Sequence, residues 1–147
     1  MASSPALTVS EAELASRLRL AVTRLARRLR IQLPGDLSPS QLSTLSTVDR
    51  LGPLTLGELS AVERVKPPTM TRIVACLEEQ GLLTRTVDQA DRRVARASTT
   101  DAGRRFVAHS RSRKDAYLAE RLRGLDPADR AALERAAAVL ERLLEGE

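Results

Sequence analysis

The sequence predicts a mainly α chain with one small β-hairpin, and three observations predict it. Apolar residues recur at steps of three and four over most of the 147 residues. Helix-start signals, a Ser, Thr or Asp followed by Pro or by Glu/Gln at the third position, punctuate that pattern several times. One stretch, residues 82–99, changes to shorter alternation around a polar turn and reads as two strands. The length suits one domain with helical extensions and is enough to bury a core.

Residues 1–9 read as a flexible tail. Ser10 and Glu13 form an S-x-x-E box that opens a long helix. Along it Leu14, Leu18, Ala21, Val22, Leu25, Leu29 and Leu33 make one face, and Arg17, Arg19, Arg24, Arg27, Arg28 and Arg30 make the polar one, until Pro34-Gly35 stops it. Ser38, Pro39 and Gln41 open a second helix, whose face of Leu42, Leu45, Val48 and Leu51 ends at Gly52-Pro53. Thr55 and Glu58 cap a third, short helix carrying Leu56, Leu59 and Val62, which runs to about Arg64 before a tight turn.

Pro67 and Pro68 start the next helix, where a missing N–H costs nothing, and Gly81 stops it. Strands are expected at 82–87 and 93–99 around a charged turn at 88–92. Thr100 and Asp101 restart helix through Phe106, Val107, Ser110, Tyr117, Leu118 and Leu122 to Gly124. Asp126 caps the last helix, with Pro127 in its first turn and an apolar face of Leu133, Ala136, Ala137, Leu140, Leu143 and Leu144.

Two short helices joined by a tight turn and followed directly by a hairpin form a winged helix-turn-helix, an arrangement that lays its second helix in the DNA major groove. In that helix Met70, Ile73, Val74 and Leu77 share one face and predict core contact. The opposite face carries Pro68, Thr69, Arg72, Ala75 and Glu79, with Thr71 at its flank. Small or hydrogen-bonding residues near a helix N-terminus let it approach base edges, and the helix dipole there favours phosphate. Arg72 is the long donor on this face and suits guanine O6 and N7, while Thr69 and Thr71 suit bases, thymine methyls or phosphates. The hairpin tip, Asp88 to Arg93, offers a second reader: Asp91 can orient Arg93 toward a narrow minor groove, and Arg92 and Arg96 can meet flanking phosphates.

Composition agrees. Lys plus Arg number 24 against 19 Asp plus Glu, for a net charge of +5, and only Lys66 and Lys114 among the cations are not arginine. The guanidinium fork matches phosphate and guanine. Phe106 and Tyr117 are the only aromatic residues, too few for base stacking on a single strand, so duplex DNA is the expected polyanion. No apolar run is long enough to span a membrane and no secretion signal is evident, so the protein is expected to be cytoplasmic without membrane association. A single cysteine excludes an internal disulfide. Cys76 reads first as a packed residue at the edge of the core face, with a thiol redox sensor as the alternative. His109 stands alone, and no metal cluster, phosphate loop or nucleophile with an adjacent base appears; neither an enzyme nor a cofactor is expected.

At this level the chain resembles the MarR family of winged-helix regulators. The resemblance is carried by Gly52-Pro53-Leu54-Thr55-Leu56-Gly57-Glu58-Leu59, by Val65-Lys66-Pro67-Pro68-Thr69-Met70-Thr71-Arg72, by Gln80-Gly81-Leu82-Leu83, and by the wing signature Asp91-x-Arg93 followed by Thr100-x-x-Gly103. It implies a homodimeric, DNA-binding transcription regulator, usually a repressor on a pseudo-palindromic operator and often released by a small aromatic or phenolic anion. The implied division is a winged helix-turn-helix over 37–100 and a helical dimerisation region over 10–36 and 101–147. The implied DNA contacts are Pro68, Thr69, Thr71 and Arg72 in the recognition helix and Asp91 and Arg93 in the wing. Lys66 stands where the family often has Ser, exchanging a capping acceptor for a phosphate-seeking cation, and Thr99 replaces the usual Leu before Thr100. An alternative keeps the winged helix as a scaffold for an acidic protein partner; the intact recognition face and the paired Asp91 and Arg93 argue against it.

Overall fold

The computed structural model describes residues 9–32, 35 and 37–146. The expected tail, and Leu33 and Pro34 at the end of the first helix, lie outside or largely outside the described residues. The element order is α1 (Glu11–Ile31), α2 (Pro39–Leu51), β1 (Leu54–Thr55), α3 (Leu56–Glu63), α4 (Pro67–Glu79), β2 (Leu83–Val87), β3 (Ala95–Thr99), α5 (Asp101–Arg123) and α6 (Pro127–Leu144). The chain is mainly helical with one antiparallel sheet of order β1-β3-β2.

Every helix except α4 starts where a side chain satisfies an orphan amide. Full capping boxes form at Ser38 with Gln41 and at Thr55 with Glu58. Ser10, Thr100 and Asp126 accept from the amides of Glu13, Gly103 and Asp129. The turn between α3 and α4 is made by Arg64, whose left-handed backbone (φ 52°) ends α3, before Pro67 and Pro68 restart helix. At the far end of α4, Gly81 takes φ 71° and the Leu82 amide bonds back to the Leu77 carbonyl at 2.9 Å.

The core sits under the helix-turn-helix. Leu45 and Val48 of α2, Leu59 of α3, Met70, Ile73, Val74 and Leu77 of α4, Leu82 and Leu83, Ala97 of β3 and Val107 of α5 form one buried cluster. The expected core face of α4 is therefore fully buried. Two expectations at helix ends are corrected: Leu51 and Val62 are exposed, because each lies near the last turn of its helix and no element packs over it.

The strands are shorter than expected and their pairing is richer. The hairpin pairs Leu83 with Thr99 through Val87 with Ala95, so residues 93 and 94 belong to the turn. A strand that local pattern did not predict, β1, pairs Leu54 with Ala97 and Thr55 with Arg96, tying the start of α3 to the wing. By contrast, α1 and α6 contain no buried residue, and Leu14, Leu18, Val22 and Leu25 on one and Leu133, Val139 and Leu143 on the other face solvent in the single chain.

Candidate nucleic-acid interface

Because α4 turns Met70, Ile73, Val74 and Leu77 inward, its helical period turns Pro68, Thr69, Thr71 and Arg72 outward, and all four are exposed. Ala75, expected beside them, is only half-exposed. Lys66 is the N-cap and makes no capping hydrogen bond, as a side chain without an acceptor must; its ammonium is exposed at the positive end of the helix. The Thr71 hydroxyl donates to the Pro67 carbonyl at 3.0 Å, so its proton is engaged within the first turn and its free lone pairs face outward. It can accept from a base amino group but not donate. Among the described residues Arg72 has no carboxylate partner, which leaves all its donors available.

The wing tip is built from two aspartates. Asp88 closes the hairpin by donating its amide to the Val94 carbonyl at 2.8 Å, and its carboxylate accepts from the Ala90 amide at 2.8 Å. Asp91 accepts from both the amide and Nε of Arg93 at 3.1 Å and from Nη2 at 3.3 Å. The fork is thereby aimed while 90% of the Arg93 side chain remains exposed. Side-chain and then backbone hydrogen bonds from Arg93 hold the Asp91 carboxyl below its ordinary pKa. Arg92 is exposed. Arg96, expected at a flanking phosphate, is turned along the hairpin: Nη1 lies 3.5 Å from Glu58 and Nε 3.9 Å from Asp88.

Two further arrangements were not visible in local sequence. Arg85 of β2 pairs with Glu78 of α4, joining the wing to the recognition helix. Thr100 donates through Oγ1 to the Gly81 carbonyl at 2.6 Å and through its amide to the Leu82 carbonyl at 3.1 Å. A side chain at Gly103 would bring Cβ within 2.1 Å of that Leu82 oxygen, so the Thr100-x-x-Gly103 spacing is a close backbone contact between the wing base and α5.

Cys76 is half-buried, and its sulfur accepts from the side-chain amides of Gln41 at 3.2 Å and Gln80 at 3.4 Å. Among the described residues no group of His, Cys, Asp and Glu is placed to hold a metal, and no helix is long and apolar enough to cross a membrane.

Comparison with known proteins agrees with this geometry. The MarR family model matches residues 37–95. An uncharacterized HTH-type transcriptional regulator of Mycobacterium bovis is 40% identical over 137 residues, covering 92% of this chain and 96% of the relative. A Pseudomonas aeruginosa protein assigned as a transcriptional regulator superposes with a TM-score of 0.83 at 35% identity, covering 93% of this chain and 97% of that one. FabT of Streptococcus pneumoniae, solved in complex with DNA, shares the fold with a TM-score of 0.69 at 21% identity, covering 90% and 98% of the two chains. These matches are to regulators of transcription and not to enzymes. The chain belongs to the MarR family of DNA-binding, helix-turn-helix transcriptional regulators.

Proposed function

We propose that the protein is a homodimeric repressor, acting in the cytoplasm, that grips a pseudo-palindromic duplex with two winged heads and is released by a small aromatic or phenolic anion. The observation that carries the reading is the outward face of α4, where an unpaired Arg72 stands beside Thr69 and Thr71 near a helix N-terminus. In this reading Arg72 reads guanine, Pro68, Thr69 and Thr71 pack along base edges and accept from them, and Lys66 and Arg92 hold phosphate. The wing, with Arg93 aimed by Asp91, enters the flanking minor groove.

The uncovered apolar faces of α1 and α6 support the dimer, since helices with no buried residue in one chain gain their burial from another. A two-fold dimer presents its heads to two half-sites, which is why a palindrome follows. The anion is supported by a groove of about 400 Å³ lined by Arg24, Arg27, Arg28, Ile31, Gln32 and Tyr117. Its guanidinium groups have no carboxylate partner among the described residues, and Tyr117 lies 5.0 Å from Arg121 in a cation–π contact. Release requires that the anion bind better to a spacing of the heads that does not fit DNA.

Selection from a randomised duplex pool tests the reading. The wild type should enrich an inverted repeat; Arg72→Ala should flatten preference at particular bases within each half, and Arg93→Ala should weaken binding through the flanks. Failure to enrich any duplex, or unchanged affinity in both variants, would overturn it.

A further inference from the structure

Resting on the reading of the wing as a DNA reader, the geometry points to a different role for Arg96. We infer that it is a positioning residue, which holds the wing tip, and through it Arg93, at a set angle to the helix-turn-helix.

The tip half of the hairpin has almost nothing apolar to fix it. Leu83, at the base, is the one buried residue of β2, and Ala97, at the middle of the hairpin, is the one buried residue of β3. Beyond them Thr86 and Val87 are exposed. Hydrophobic burial therefore holds the wing at its root and leaves its direction free.

Charge pairs supply what packing does not. Glu58 accepts the Thr55 amide at 2.8 Å, closing the box that starts α3, and it also faces Nη1 of Arg96. The other side of the same guanidinium, Nε, faces Asp88, whose second oxygen accepts the Ala90 amide of the tip turn. One planar group thus links the first helix of the helix-turn-helix to the turn that carries Asp91 and Arg93. On the other strand Arg85 pairs with Glu78 of the recognition helix, so the hairpin is braced to both helices. Half-exposed pairs of this kind add little to stability; their effect is on orientation. They also draw the Arg96 charge toward two carboxylates and away from any phosphate.

The probe is the duplex enriched by the wild type, with affinity measured over a range of salt. An arginine that neutralises a phosphate contributes about 0.9 to the log–log salt slope, so its loss from two protomers lowers the slope by roughly 1.8. For a positioning residue, Arg96→Gln leaves the slope unchanged yet weakens binding by roughly three- to tenfold, and Arg93→Gln then costs less than it does in the wild type. Arg96→Lys separates the roles further. An ammonium serves a phosphate well, but it cannot span Glu58 and Asp88 as the fork does, so Lys should behave like Gln. Thermal unfolding of each variant close to the wild type confirms that folding is intact.

Wild-type binding by Arg96→Lys, a slope reduced by Arg96→Gln, or full additivity with Arg93→Gln would each overturn the inference while leaving the DNA-binding reading intact. A wild type that enriches no duplex overturns both.

Discussion

Gly103 sits three residues into α5 with the Leu82 carbonyl where its side chain would be, and the substitution Gly103→Ala isolates that contact. The added Cβ would lie 2.1 Å from the Leu82 oxygen, 3.1 Å from its carbon and 3.4 Å from Leu45 Cδ1. Two of these neighbours are backbone, and the oxygen also receives the Thr100 amide, so the helix start must retreat by about 1 Å from the wing base. Overpacking of this kind costs about 1–3 kcal/mol. The helical preference of Ala over Gly returns at most about 1 kcal/mol, and the strained Thr100 bonds offset that gain. A net loss near 2 kcal/mol corresponds to a Tm lowered by roughly 4–8 °C in a chain of this size. Gly57→Ala is the control: only Thr55 Oγ1, at 3.9 Å, stands near its Cβ, so the change should be neutral or stabilising by up to about 0.5–1 kcal/mol. Both are read by circular-dichroism melting at one fixed protomer concentration, since association shifts apparent stability. A Gly103→Ala protein that melts at or above the wild type would refute the close-contact argument.

Other expectations follow from the same geometry. Leu25→Asp, at a position 45% exposed in the single chain, should leave the chain folded but monomeric in sedimentation; a variant that sediments as the wild type would count against α1 as a dimer face. Glu63→Ala removes the acceptor of both Ser43 and the buried Thr47 hydroxyl and should cost about 1–3 kcal/mol in denaturant unfolding, whereas a neutral result would mean that neither hydroxyl depends on it. The Asp91 carboxyl, held low by Arg93, contributes to wing order above its ordinary pKa of about 3.9 and loses that contribution as pH falls through the depressed value. Its NMR titration should move up toward the ordinary value in Arg93→Gln. Cys76→Ser should leave DNA binding equally indifferent to peroxide; a peroxide response present only in the wild type would make the thiol a sensor.

What the sequence made legible, and what it hid, divides along sequence distance. The caps at Ser38, Thr55, Thr100 and Asp126 act within three residues, so the bonds that start these helices are written locally. The burial of Met70, Ile73, Val74 and Leu77 follows from helical period alone, and with it the outward face of Arg72. Asp91 and Arg93 meet across two residues, near enough to be read as a pair. The strand β1 was hidden because it has only two residues, Leu54 directly after Gly52-Pro53 and Thr55 itself the cap of α3, and their partners are on β3, some forty residues later. The pairing of Arg96 with Glu58 was hidden for the same reason: beside Arg96 in sequence stand a hairpin and other arginines, while Glu58 belongs to a different helix. Gly103 was recognised as part of a motif, but only the approach of the Leu82 carbonyl supplies its physical cause.

The bonds around Thr100 also constrain how a change in the helical region can reach the reading head. In the single chain α1 packs on α5, and α5 packs on α2 and β3. At its N-terminus α5 is tied to the two residues that follow the recognition helix and its cap, through Thr100 to the carbonyls of Gly81 and Leu82. The absent side chain of Gly103 lets those backbones touch, leaving no slack in the joint. The start of α5 and the end of α4 therefore move together. In the proposed dimer, an anion held between Arg24, Arg28 and Tyr117 acts on α1 and on the middle of α5, and a tilt imposed there is delivered to α4 as rotation of a rigid arm. Lengthening the joint, as Gly103→Ala does, should then weaken the effect of the anion on DNA affinity more than it weakens DNA affinity itself. Equal losses in the two would locate the coupling elsewhere.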